Sequence, residues 1–228
     1  MRWQDPRPVT VPPALAAAVG GHPLVSATLA RRGITTPAAA RAFLDPEAYT
    51  PTPAAALPDV EPAVDRLRQA LAHGERILVW GDFDVDGQTA TTVLVDGLQR
   101  LGGQVAFTIP VRAVDSHGIA LPTLTARLEE GFDLLLTCDT GVAEHEAVAL
   151  ARAYGTEVII TDHHELPPTL PDALAVINPN RLADGHPLGD LPGVGAAYKL
   201  LEALYAHLGR AARRTACSIW SHWGSWLM

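Results

Sequence analysis

The chain has 228 residues, 48% hydrophobic and 18% charged, with a formal net charge of −8; this is the balance of a globular protein with a sizeable core and excludes a disordered polymer. The acidic charge argues against a broad nucleic-acid-binding face, although bound cations offset clustered carboxylates and one local basic groove can hold a strand. No apolar run is long enough to span a membrane, "MRWQDPRPVT" has no signal-peptide core, and two cysteines, Cys138 and Cys217, fit a reducing cytoplasm.

Residues 1 to 58 are rich in alanine and proline and carry short helix signals. In "ITTPAAARAFL", Thr36 is placed to cap a helix with Pro37 in its first turn. "DPEAYTPTPAAALPD" then reads as a proline-punctuated connector. From 59 to 210 the pattern changes to alternating helices and strands. A helix over Val60–His73 leads into the strand "RILVW", followed by a helix from about Thr89 to Leu101 and the strand "QVAFTIP". A short helix near 121–130, the strand "DLLLTCD", a helix near 143–154 and the strand "EVIITD" come next. The extended stretch "ALAVIN" precedes a helix from about Ala196 to Leu208. Short apolar strands between amphipathic helices predict an α/β fold with a mainly parallel sheet covered on both faces.

Residues 211–228 break this order. Three of the five tryptophans fall in "SIWSHWGSWLM", which has neither helical nor strand periodicity. It reads as an irregular tail, added sequence or a shifted reading frame. With G- or C-ending codons, a frame opened one nucleotide before the Ile219 codon gives Asp-Leu-Val-Ala-Leu-Gly-Leu-Val-Ala-Asp, an apolar strand pattern closing on aspartate.

Ligands of an open parallel sheet bind beyond the carboxyl ends of its strands. Three clusters fall there: Asp82, Asp84 and Asp86 after "RILVW", Asp139 after "DLLLTC", and Asp162, His163 and His164 after "EVIIT". An EF-hand reading of "DFDVDG" fails, because the twelfth position is Val93 and a strand precedes the loop. Taken singly, each cluster is more often a solvated loop or a helix cap than a metal site. In series at consecutive strand ends, they are not. Two like charges about 4 Å apart repel by about 4 kcal/mol at an effective dielectric near 20, so converging carboxylates call for cations. Oxygen and imidazole donors suit manganese, then magnesium, and suit zinc less without thiolates. Two such ions clamp a phosphate and activate water, and Asp139, central in the set, is the candidate bridge. Cys138 reads as a buried strand residue. Gly193 and Gly195 could cradle phosphate ahead of a helix, but glycine pairs there usually mark close packing.

Together "GDFDVDG", "CDTGV", "TDHHELP", "AVINPNR" and "LPGVGAAYKLLEAL" resemble the DHH phosphoesterase superfamily, and within it the RecJ exonucleases. "LARRGITTPAAARAFLDPE" is similar to that family's leader, and "IPVRAVDSHGIAL" to its arginine-bearing strand-to-loop element. The resemblance implies a two-metal phosphodiesterase, with Mn2+ or Mg2+, that degrades single-stranded DNA from the 5′ end in repair and recombination. It further implies a cytoplasmic monomer with single-stranded DNA and other repair proteins as partners. By motif, Asp82, Asp84 and a bridging Asp139 hold one ion, and Asp86 and His163 serve the second. His164 contacts the scissile phosphate, Asp162 supports the histidines, and Arg112, Gly193 and Gly195 contact substrate. Trp80 stands where some relatives carry histidine. The family's fourth metal-site aspartate lies in a segment that the shifted frame matches except for leucine in place of threonine, so a truncated or frameshifted product with reduced or no activity is expected, which resequencing the gene tests. The alternatives are a phosphodiesterase for oligoribonucleotides or cyclic dinucleotides, and an inactive fragment acting as a binding module.

Overall fold

The computed structural model describes residues 8–112 and 118–210. The 211–228 tail with its shifted-frame reading, and part of "IPVRAVDSHGIAL", lie outside them. The chain divides into two compact units, one containing the described residues up to Pro51 and the other beginning at Thr52.

The first unit is three short helices, α1 (Pro13–Val19), α2 (Pro23–Arg31) and α3 (Pro37–Leu44), around Leu15, Leu29, Ala30 and Ala40. Each helix begins with a proline in its first turn, where the missing N–H costs no intrahelical bond. Thr36 caps α3 as its position predicts, with Oγ1 accepting from the Ala39 amide at 3.2 Å.

The second unit runs α4 (Val60–His73), β1 (Arg76–Trp80), α5 (Val85–Arg100), β2 (Gln104–Thr108), α6 (Leu121–Leu128), β3 (Leu134–Cys138), α7 (His145–Ala153), β4 (Glu157–Thr161), β5 (Ala175–Ile177) and α8 (Gly193–His207). All pairings are parallel, in the order β2-β1-β3-β4-β5. Side chains alternate across the sheet. Leu78, Trp80, Leu135, Val158, Ile160 and Val176 pack on one face with residues of α6 and α7. The residues between them in sequence, Ile77, Val79, Leu134, Leu136 and Ile159, are also fully buried, on the face served by α4, α5 and α8. Burial on both faces is why these strands read as continuous apolar runs.

Two helices begin earlier than the sequence indicates. Asp84 caps α5, accepting from the Gly87 amide at 3.0 Å, so "VDG" forms the first turn instead of extending the loop. "GVG" likewise forms the first turn of α8. The strand order reverses direction between β1 and β3, the switch point where doubly wound sheets open a crevice.

Candidate metal centre

Asp82 and Asp84 follow β1 and Asp139 follows β3, so the three carboxylates flank the switch point. One ligand atom from each of Asp82, Asp84 and Asp139 lies within 4.8 Å of the others, and the same holds for Asp139, His163 and His164. Asp139 belongs to both sets. The fit to cations is visible in the carboxylates themselves: Asp82 Oδ1 and Asp139 Oδ1 are buried with no hydrogen-bond donor. His163 Nε2 is 3.1 Å from Asp139 Oδ1, close enough for the two atoms to share one cation. A buried acceptor without a donor costs about 1–3 kcal/mol, a penalty that a shared cation removes.

Backbone geometry sets Asp139 in place. Its φ of 60° is left-handed, uncommon for a non-glycine residue, and its N–H donates to Thr161 O at 3.0 Å. Burial pushes its carboxyl up to about 6 against the opposing pull of the His163 ring. Such a group ionises less readily than an ordinary aspartate, and a bound cation would favour its charged form.

The Asp162-His163-His164 turn hangs on Asp162, which is 1% exposed. Asp162 Oδ1 accepts from the His163 and His164 amides at 2.7 and 3.1 Å and lies 2.7 Å from His164 Nδ1. Oδ2 accepts from the Val142 amide at 2.9 Å. Burial raises this carboxyl, but the His164 ring and the backbone donors outweigh it and hold it below its ordinary range. The same bond pushes His164 up to about 9. Its side chain is 59% exposed, against 33% for His163, so His164 stands on the solvent side of the pair. His163 is raised by its approach to Asp139.

Asp86 is arranged differently from its neighbours. It lies 3.6 Å from His163 Nε2, yet both its oxygens are engaged: Oδ2 accepts from the Gly193 amide and Oδ1 from the Val194 amide, each at 2.7 Å. The chain's own carboxylate therefore already fills the N-terminus of α8, the place where "GVG" offered a phosphate cradle. Gly193 has a steric reason to be glycine, since a Cβ there would meet Asp139 Oδ1 at 2.3 Å. Gly195 packs against Leu191 and Pro192. Arg112 stands with its guanidinium 5.0 Å from the centre of the Phe83 ring, between Asp82 and Asp84 in sequence. Trp80 is fully buried in the sheet core and has no ligand to offer. Cys138 is buried beside Thr91, and burial pushes its thiol up to about 12, the strand role expected of it.

Asn178 and Asn180, which carry no chemical signature in the sequence, bond the carbonyls of the histidine turn. Their one visible signal was an asparagine on each side of Pro179 directly after a strand.

A doubly wound sheet with carboxylates and imidazoles in two sets around a shared aspartate defines an α/β protein with a candidate centre for a pair of divalent cations. The pattern of the DHH family, N-terminal domain, matches residues 76–218, and the chain belongs to this family. The single-stranded-DNA-specific exonuclease RecJ of Bacillus subtilis (strain 168) is 38% identical over 212 residues, covering 91% of this chain and 27% of that protein. The protein of that name from Escherichia coli (strain K12) is 40% identical over 153 residues, covering 67% and 26%. Among solved structures, RecJ in complex with Mn2+ from Thermus thermophilus has a TM-score of 0.70 at 31% identity, covering 90% of this chain and 29% of that one. A crystal structure of exonuclease RecJ bound to manganese has a TM-score of 0.66 at 36% identity, covering 72% and 41%. The chain thus spans about a quarter of the length of these curated relatives. Among the described residues no helix is long and apolar enough to cross a membrane.

Proposed function

We propose that residues 59–210 form a two-cation phosphodiesterase domain that hydrolyses single-stranded DNA from its 5′ end, with residues 1–58 as a helical leader. The observation that carries this reading is the pair of three-residue sets sharing Asp139. Asp82, Asp84 and Asp139 hold one cation. Asp139 and His163, with Asp86 through its remaining lone pairs, would hold the second, and Asp86 also ties the site to α8. When bound, the ions, manganese in preference to magnesium, polarise the phosphate and lower the pKa of the attacking water.

The chain's own residues orient and exclude. Asp162 holds His164 through Nδ1, leaving Nε2 for the scissile phosphate, and the raised basicity of this ring keeps a positive charge there at neutral pH. Arg112, over the Phe83 ring, adds a second positive charge along the approach of a strand. Gly193 keeps the space beside Asp139 free of a side chain. The RecJ names of relatives and the manganese in the matching structures support this substrate and metal; work in repair and recombination, as a cytoplasmic monomer alongside other repair proteins, is part of the same proposal.

The test is turnover of the full chain with Mn2+ on single strands labelled at the 5′ or the 3′ end, on duplex, on dinucleotides and on pyrophosphate. Mononucleotides released from the 5′ end, and their loss in Asp139→Ala, are expected. Preference for dinucleotides or pyrophosphate would replace the substrate assignment. Strand binding with bound Mn2+ and no turnover would make the chain a binding module.

A further inference from the structure

The two imidazoles face Asp139 only while the peptides that carry them hold their planes. Asp162 takes the N–H groups of both His163 and His164. The carbonyls of the same two residues are taken by asparagines. Asn180 Nδ2 is 2.8 Å from His163 O and 3.0 Å from His164 O. A primary amide nitrogen has two hydrogens, so this one side chain serves both carbonyls. Asn178 Nδ2 gives His164 O a further bond at 2.9 Å, and Asn178 Oδ1 accepts from the Asn180 amide at 2.8 Å. The turn is thereby held through its donors on one side and its acceptors on the other.

The two asparagines differ in burial. Asn178 is fully buried, and its loss would strand buried polar groups and weaken the fold itself. Asn180 is exposed. Water can satisfy the carbonyls it leaves, but water does not fix two peptide planes at once. Resting on the two-cation reading above, we propose that Asn180 is a positioning residue: its amide clamps the carbonyls of His163 and His164 and so fixes both imidazoles relative to Asp139.

Asn180→Ala removes the clamp with little steric change. Asn180→Asp keeps the shape but points acceptor oxygens at two carbonyl oxygens. Mn2+ titration of the full chain should show the histidine-containing site weakened about 10–100-fold in Asn180→Ala and further in Asn180→Asp. Binding at Asp82 and Asp84 should stay close to wild type, and the Asn180→Ala melting temperature should move by no more than about 2 °C. Without metal, the ring 15N shifts of His163 and His164 should move or broaden in both variants. Wild-type Mn2+ affinity together with wild-type ring shifts in both variants overturns the proposal. A wild-type chain that binds no Mn2+ overturns the two-cation reading itself.

Discussion

Gly193→Ala changes one hydrogen into a methyl group, and the structure gives it an unusually large consequence. The residue lies outside the left-handed region, so alanine brings no backbone strain of its own. The cost is steric. The new Cβ would lie 2.3 Å from Asp139 Oδ1, 2.6 Å from its Cγ and 2.7 Å from its Cβ. Asp139 is poorly placed to retreat, being buried, left-handed and bonded through its amide to Thr161. The first turn of α8 must lift by about 1 Å instead, which stretches the bonds from the Gly193 and Val194 amides to Asp86 beyond hydrogen-bond range. Overpacking of this kind costs about 1–3 kcal/mol, and each lost bond to a charged acceptor about 1.5–3 kcal/mol. With partial relaxation the sum is about 3–5 kcal/mol, a large share of a typical domain's stability. Gly195→Ala is the comparison: its nearest contacts are the far end of the Leu191 side chain at 2.9 Å and Pro192 Cδ at 3.1 Å, none of them a carboxylate of the site, so its cost should stay near about 1 kcal/mol. Urea unfolding followed by circular dichroism, with Mn2+ titration alongside, separates them. Equal midpoints and equal Mn2+ affinities for the two variants would mean that the Gly193–Asp139 contact is not limiting.

Metal-free protein should show the reluctance of Asp139 to ionise. With its carboxyl pushed up to about 6, the native state holds that proton more tightly than the unfolded chain between about pH 4 and 6. Stability should therefore fall as pH rises through this window, by up to about 3 kcal/mol from this group, and Asp139→Asn should remove that slope. Urea midpoints in chelator from pH 4 to 8 give the comparison, and identical slopes would count against it. In a Cys217→Ser background, the Cys138 thiol, pushed up to about 12 and buried, should react with a disulfide reagent at pH 8 only as fast as the protein opens. Prompt stoichiometric labelling of folded protein would contradict its buried, protonated state.

The strands and the three candidate ligand clusters were legible because both depend on short-range signals. "RILVW", "LLLTC" and "EVIIT" are unbroken apolar runs, and in a doubly wound sheet whatever follows such a run faces the crevice. Helix starts were less legible where their residues had two uses. Asp84 is at once a candidate ligand and the cap of α5, and Gly193 is at once a loop-like residue and the first turn of α8. The role of Asp86 was hidden for a different reason. Its bonds reach amides 107 and 108 residues away, and no local pattern announces a cap supplied from that distance. Asn180 was hidden similarly, since its bonds go to backbone carbonyls, which every residue possesses.

A pair of cations joined through Asp139 would be read out by electron paramagnetic resonance during Mn2+ titration of the full chain. Two ions per chain with an exchange-coupled spectrum, and loss of that coupling in Asp139→Asn, is the predicted result. A single ion, two uncoupled ions, or coupling that survives Asp139→Asn would contradict it.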